Sequence, residues 1–132
     1  MNMYLDASAI IYGMEGCSDL RKAVLAWVTQ VDSSGGAIIT SRLSRLECRV
    51  RPLREGQSAL LAQYEQFFQR QSLQVVDVGA SVLELATDLR VRYGFKTPDA
   101  IHIATAMEGG VDFILTGDRD MTRCNEIRVE LV

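Results

Sequence analysis

Four carboxylates fall at places in the chain where chemistry is easily built. Asp6 follows the apolar run Met3-Tyr4-Leu5, and Asp118 follows Phe113-Ile114-Leu115-Thr116 with Gly117 between. Asp99 comes directly after Thr97-Pro98, a helix-opening signal, where free N–H groups and the helix dipole favour an anion. Glu47 lies in the Leu- and Arg-rich stretch after Ser41. Four acids gathered at one edge repel, since two unit charges 4 Å apart interact by about 4 kcal/mol at an effective dielectric of 20. Cations relieve that repulsion. Cys17, Cys48 and Cys124 are widely spaced and read as free thiols, and one histidine cannot complete a zinc site with them. An all-oxygen set suits Mg²⁺ or Mn²⁺. Two such ions, roughly 3.5–4 Å apart, activate a water and stabilise the leaving oxygen of an in-line displacement, which fits phosphodiester hydrolysis. Singly, each acid also reads as a turn residue, a helix cap or a first-turn acid. Their joint placement carries the metal reading.

The elements that must position these acids follow from periodicity. Met3–Leu5, Ala37–Thr40, Leu73–Asp77, Asp112–Thr116 and Ile127–Leu131 read as strands, the last the weakest. Leu20, Ala23, Val24, Trp27, Val28 and Val31 form a helical stripe, and a helix from Ser41 to Val50 is expected to stop before Pro52. Further helical stripes are Leu60 to Phe68 and Val82 to Tyr93. The last helix runs from Thr97, as N-cap with Pro98 at the first helical position, to Met107. Strands alternating with helices imply right-handed crossovers, hence an α/β fold of three layers with a central, mainly parallel sheet of four to five strands. In such sheets ligands sit beyond the carboxyl ends of the strands, where Asp6 and Asp118 project. On a helical wheel Leu43, Leu46 and Val50 share a face bordered by Glu47, which turns Glu47 toward the protein body, away from Arg42, Arg45 and Arg49. No basic partner is evident there, so a metal would serve.

Composition constrains the rest. A chain of 132 residues fits one domain spanning 1–132. No apolar run is long enough for a bilayer, and the N-terminus lacks the layout of a signal peptide, so a cytoplasmic location without membrane contact is expected. A net charge of −3 does not exclude a nucleic-acid substrate: removing the four candidate ligands from 17 acids leaves 13 against 14 bases. The row Arg42, Arg45 and Arg49 reads equally as a solvated face or as a phosphate or partner contact. His102 reads as a packed, hydrogen-bonded core group outside the catalytic set. The aromatic stripe Tyr64, Phe67 and Phe68 reads as core, with part of it a possible groove for a partner helix.

Tyr4-Leu5-Asp6-Ala7-Ser8-Ala9-Ile10, Glu47, Lys96-Thr97-Pro98-Asp99-Ala100-Ile101-His102-Ile103-Ala104-Thr105-Ala106 and Leu115-Thr116-Gly117-Asp118-Arg119-Asp120 stand in the order seen in PIN domains. The combination resembles VapC-type toxins, the ribonuclease halves of bacterial toxin–antitoxin pairs, over the whole chain. The resemblance implies a Mg²⁺- or Mn²⁺-dependent endoribonuclease acting on RNA, restrained by a VapB-type antitoxin and commonly homodimeric. By position it assigns Asp6, Glu47, Asp99 and Asp118 to the acidic quartet, with Asp6 and Asp99 as direct ligands. Ser8 and Thr116 match supporting hydroxyls, and Asp120 is an outer acid or a solvated loop residue. Family members often carry Asn where this chain has Gly117, which removes a polar side chain from the last motif.

Other functions fit less well. A haloacid-dehalogenase-type phosphatase wants a second Asp where Ser8 stands, and a receiver-like module wants a late lysine, whereas the only lysines are Lys22 and Lys96. A PIN nuclease in RNA processing and a non-catalytic RNA-binding PIN domain are the alternatives within the same fold.

Overall fold

Five apolar runs become one sheet in a computed structural model that describes residues 1–132. Its strands are β1 (Met3–Leu5), β2 (Ile38–Ser41), β3 (Leu73–Val76), β4 (Phe113–Thr116) and β5 (Arg128–Leu131). They lie in the order β3-β2-β1-β4-β5, and every pairing is parallel. The helices are α1 (Ala7–Glu15), α2 (Ser18–Ser33), α3 (Arg42–Arg54), α4 (Ser58–Phe68), α5 (Ala80–Tyr93) and α6 (Thr97–Glu108), with a 3₁₀ turn at Arg119–Arg123. None is long and apolar enough to cross a membrane.

Successive strand residues point to opposite faces. Tyr4, Ile39 and Ile114 therefore join Val82, Leu89 and Ile103 in one core, while Met3, Leu5, Ile38, Phe113 and Leu115 join Ile10, Val24, Tyr64 and Phe68 in the other. Helices α5 and α6 cover the first face; α1, α2 and α4 cover the second. Both faces of β1 and β4 are buried, which is why these strands are apolar without alternation. The chain steps from β1 outward to β3, then returns to the other side of β1 as β4. The reversal opens a crevice at the carboxyl ends of β1 and β4, the topological switch point.

Three details depart from the sequence expectation. Helix α1, with Ala7, Ile10, Ile11 and Met14 along one side, is absent from the sequence expectation; the Asp6 side chain is its N-cap, accepting from the backbone N–H of Ala9. Helix α3 continues through Pro52 to Arg54, because the proline sits one turn from the end and forfeits only the bond to the Cys48 carbonyl. The N-cap of α6 is Lys96, so Thr97 and Pro98 are its first two residues, and the Thr97 hydroxyl accepts from Arg90 instead.

The buried face of α3 also differs. It is Ser44, Cys48 and Pro52, while Leu46 is 58% and Val50 47% exposed. Small side chains let α3 approach α1 closely, with Cys48 Sγ 3.9 Å from the Ala7 carbonyl oxygen, and the leucines are left facing outward.

Candidate functional site

Asp6 leaves β1 at the centre of the crevice, 3% exposed, and is surrounded by donors. Its Oδ1 accepts from the Ser8 hydroxyl at 2.7 Å and the Ala9 N–H at 2.9 Å, and its Oδ2 accepts from the Thr116 hydroxyl at 2.5 Å. The same hydroxyls receive backbone N–H groups from the other strand's exit: Gly117 donates to Ser8 Oγ at 2.9 Å, and Asp118 donates to Thr116 Oγ1 at 3.0 Å. The ends of β1 and β4 are thus tied together through Ser8 and Thr116. A carboxylate offers about four lone-pair sites, and Asp6 has committed three of them.

The opposite wall is Asp99 and Asp118. Asp118 caps the 3₁₀ turn, accepting the Asp120 N–H at 2.9 Å. Asp99 sits in the first turn of α6, half-buried. Burial, then the charge and hydrogen-bonding of Asp118, then the more distant charge of Asp6, push its carboxyl up to about 6; His102 acts in the opposite direction. Asp99 thus lies close enough to Asp118, and more weakly to Asp6, to feel their charge.

Glu47 is placed differently. It does face the protein body, but a basic partner exists there: His102 Nε2 lies 2.6 Å from Glu47 Oε1. The imidazole is 2% exposed, with Nδ1 2.8 Å from the Tyr4 hydroxyl, which lies 2.9 Å from Ser41 Oγ. His102 is thus the packed core group expected from the sequence and also the partner that the sequence reading of Glu47 missed. The signal was an inward glutamate lacking a cation in a chain with one histidine. Burial, then the charges of Glu47, Asp6 and Glu15, hold the neighbouring Cys48 thiol well above its usual range, which keeps it unreactive.

Asp120 is exposed. Its carboxylate pairs with Arg123 at 2.8 Å, and that hydrogen bond lowers its pKa. The arginines of α3 are also engaged: Arg42 with Asp77, Arg45 and Arg49 with Glu65, and Arg51 with Glu15. At Gly117 a Cβ would lie 2.2 Å from Cε2 of Tyr12, so the tyrosine ring fills the space that a side chain at this position would take. A groove of about 450 Å³ runs from Tyr12 and Glu47 past Ile11 and Leu20 to Arg51 and Pro52.

No three acidic, histidine or cysteine side chains are drawn around one point that could hold an ion. Asp6 is directed to its donors and Glu47 to His102. Asp99 and Asp118 offer only carboxylate oxygens, and that donor chemistry suits a hard cation whose shell is completed by water.

The profile of the PIN domain family matches residues 3–127. Among curated protein sequences none matches the chain significantly. Several solved structures share its fold. VapBC2 from Rickettsia felis, bound to a promoter DNA fragment, superposes with a TM-score of 0.81 at 13% identity, covering 99% of this chain and 98% of that one. VapC20 from Mycobacterium tuberculosis, a toxin that cleaves the sarcin–ricin loop, gives 0.75 at 16% identity over 96% and 99%. A toxin–antitoxin complex from Klebsiella pneumoniae gives 0.72 at 20% identity over 98% and 96%.

Proposed function

The chain belongs to the PIN domain family, and from that membership we propose a Mg²⁺- or Mn²⁺-dependent endoribonuclease that serves, in the cytoplasm, as the toxin of a type II toxin–antitoxin pair. The observation that carries the reading is that Asp6 and Asp118 follow the carboxyl ends of neighbouring strands, with Asp99 close by, its carboxyl raised by burial and by Asp118. Excess negative charge at a ligand-binding edge is what a cation site needs before its ion arrives. The toxin, the RNA substrate and a VapB-type antitoxin partner are supported by what the similar structures are: two toxin–antitoxin assemblies and an RNA-cleaving toxin.

In this reading Asp99 and Asp118 would hold the cation with Asp6, and Glu47 would act from the α3 side. The bound ion supplies a lowered pKa for the attacking water and charge stabilisation at the scissile phosphate. Ser8 and Thr116 fix both oxygens of Asp6, so its free lone pair has one direction. The engaged arginines of α3 leave phosphate attraction chiefly to the acidic crevice and its cation. A homodimer is part of the proposal. Leu46, at 58%, and Leu53, at 54%, are exposed on α3, as are Leu83 and Val91 on α5, with Ile101 lining the concavities beside both rows. Such a surface suits a second copy of the chain, and sedimentation as a monomer at micromolar concentration would remove this part.

The deciding experiment maps RNA ends after brief induction of the wild type and of Asp99→Ala in a bacterial host. New ends and growth arrest with the wild type alone are expected. Continued growth with intact, soluble wild-type protein sinks the toxin reading.

A further inference from the structure

Glu47 and Arg51 are four residues apart on α3, the spacing at which a glutamate and an arginine pair along a helix surface. They do not pair. Arg51 is taken by Glu15, which also accepts the hydroxyl hydrogen of the buried Tyr64. With its natural competitor occupied, Glu47 is left to His102, which approaches from α6 on the inner side.

The Tyr4 hydroxyl stands between His102 Nδ1 and Ser41 Oγ, while Ser41 Oγ also accepts the Ser44 N–H at 3.3 Å. An ionised carboxylate only accepts, so towards one the Nε2 nitrogen, 2.6 Å away, is the donor.

We propose that His102 is a positioning residue that holds Glu47 at the edge of the acidic crevice, its ring fixed by Tyr4 and Ser41. The role rests on the nuclease reading; the contact does not. One oxygen of Glu47 is committed to the imidazole, and the side chain, 32% exposed, lines the groove beside Tyr12. Burial of His102 and Tyr4 in the α6 core, at 2% and 0% exposure, makes the anchor rigid. Anchors of this kind beneath a ligating carboxylate change activity or metal affinity by roughly 10–100-fold when removed.

The single histidine makes the test direct. In protein labelled with ¹⁵N-histidine, the Nε2–H resonance should be protected from exchange in the wild type and lost or strongly shifted in Glu47→Ala. A resonance unchanged by Glu47→Ala overturns the contact. On RNA, His102→Leu should lower kcat about 10-fold or more with KM little changed, and His102→Gln, which keeps a donor, should recover part of the loss. Wild-type kcat in folded His102→Leu overturns the positioning role. Wild-type protein that cleaves no RNA in the presence of Mg²⁺ or Mn²⁺ overturns the nuclease reading and the role with it, whereas the resonance arm still decides the contact.

Discussion

Asp6 and Asp99 face the same crevice under opposite conditions. Asp6 is almost fully buried yet accepts three hydrogen bonds, from Ser8, Ala9 and Thr116, so its charge is compensated by the fold itself. Asp99 is less buried but stands beside Asp118, and its carboxyl is raised to about 6 by lost hydration and then by that neighbour. One wall of the crevice is finished when the chain folds. The other is left in deficit.

The largest effects should separate the two walls by sign. Asp6→Asn and Asp99→Asn should each lower RNA cleavage on the order of 100-fold, as expected for losing a group that stabilises developing charge. In metal-free solution, however, Asp6→Asn should lower stability and Asp99→Asn should raise it, read by urea unfolding at pH 7. A stabilising Asp6→Asn would break the comparison.

Next comes packing on the Asp118 wall. Gly117→Asn drives a side chain into the Tyr12 ring and should cost about 1–3 kcal/mol. In a Tyr12→Ala background the same change should cost less, by a coupling of about 1 kcal/mol or more in a double-mutant cycle. Additive costs would mean that the ring moves aside freely.

The smallest effect is the pH dependence of Asp99. Its folded carboxyl titrates at about 6 against an unfolded value of about 3.9, so between these the folded state binds more protons than the unfolded one. Stability then falls as pH rises through that window, is highest from this group below about 4, and is fully reduced above about 6. Allowing for partial exposure, the change should be roughly 1–2 kcal/mol, and it should vanish in Asp99→Asn and shrink with saturating Mg²⁺. Equal pH slopes in wild type and Asp99→Asn would show that Asp99 is not the strained acid.

The parts of this arrangement visible in the sequence are those that periodicity and strand ends report. The apolar runs before Asp6 and Asp118 located β1 and β4, and the parallel sheet then put both acids at one edge. Periodicity fails where apolarity and burial part company. On α3 the leucines are the obvious core face, yet the sheet and α1 select Ser44, Cys48 and Pro52 because only small residues permit their close approach. The direction of Glu47 was right while its wheel was not. The His102 contact spans 55 residues of sequence, and the pairing of Gly117 with Tyr12 joins two segments that no local pattern relates. The missing side chain at Gly117 looked like a loss from the motif; in three dimensions it is an exchange of bulk with α1.

The ties through Ser8 and Thr116 also set an order in time. Asp6 leaves the ribosome well before Asp118 does. Until β4 emerges, β1 is an edge strand, Asp6 lacks its Thr116 donor, and Asp99 lacks its Asp118 neighbour. A domain generally folds as a unit, so a growing chain has no complete crevice before β4 is out. Any premature stop before Thr116 leaves a fragment with the first acid and no site.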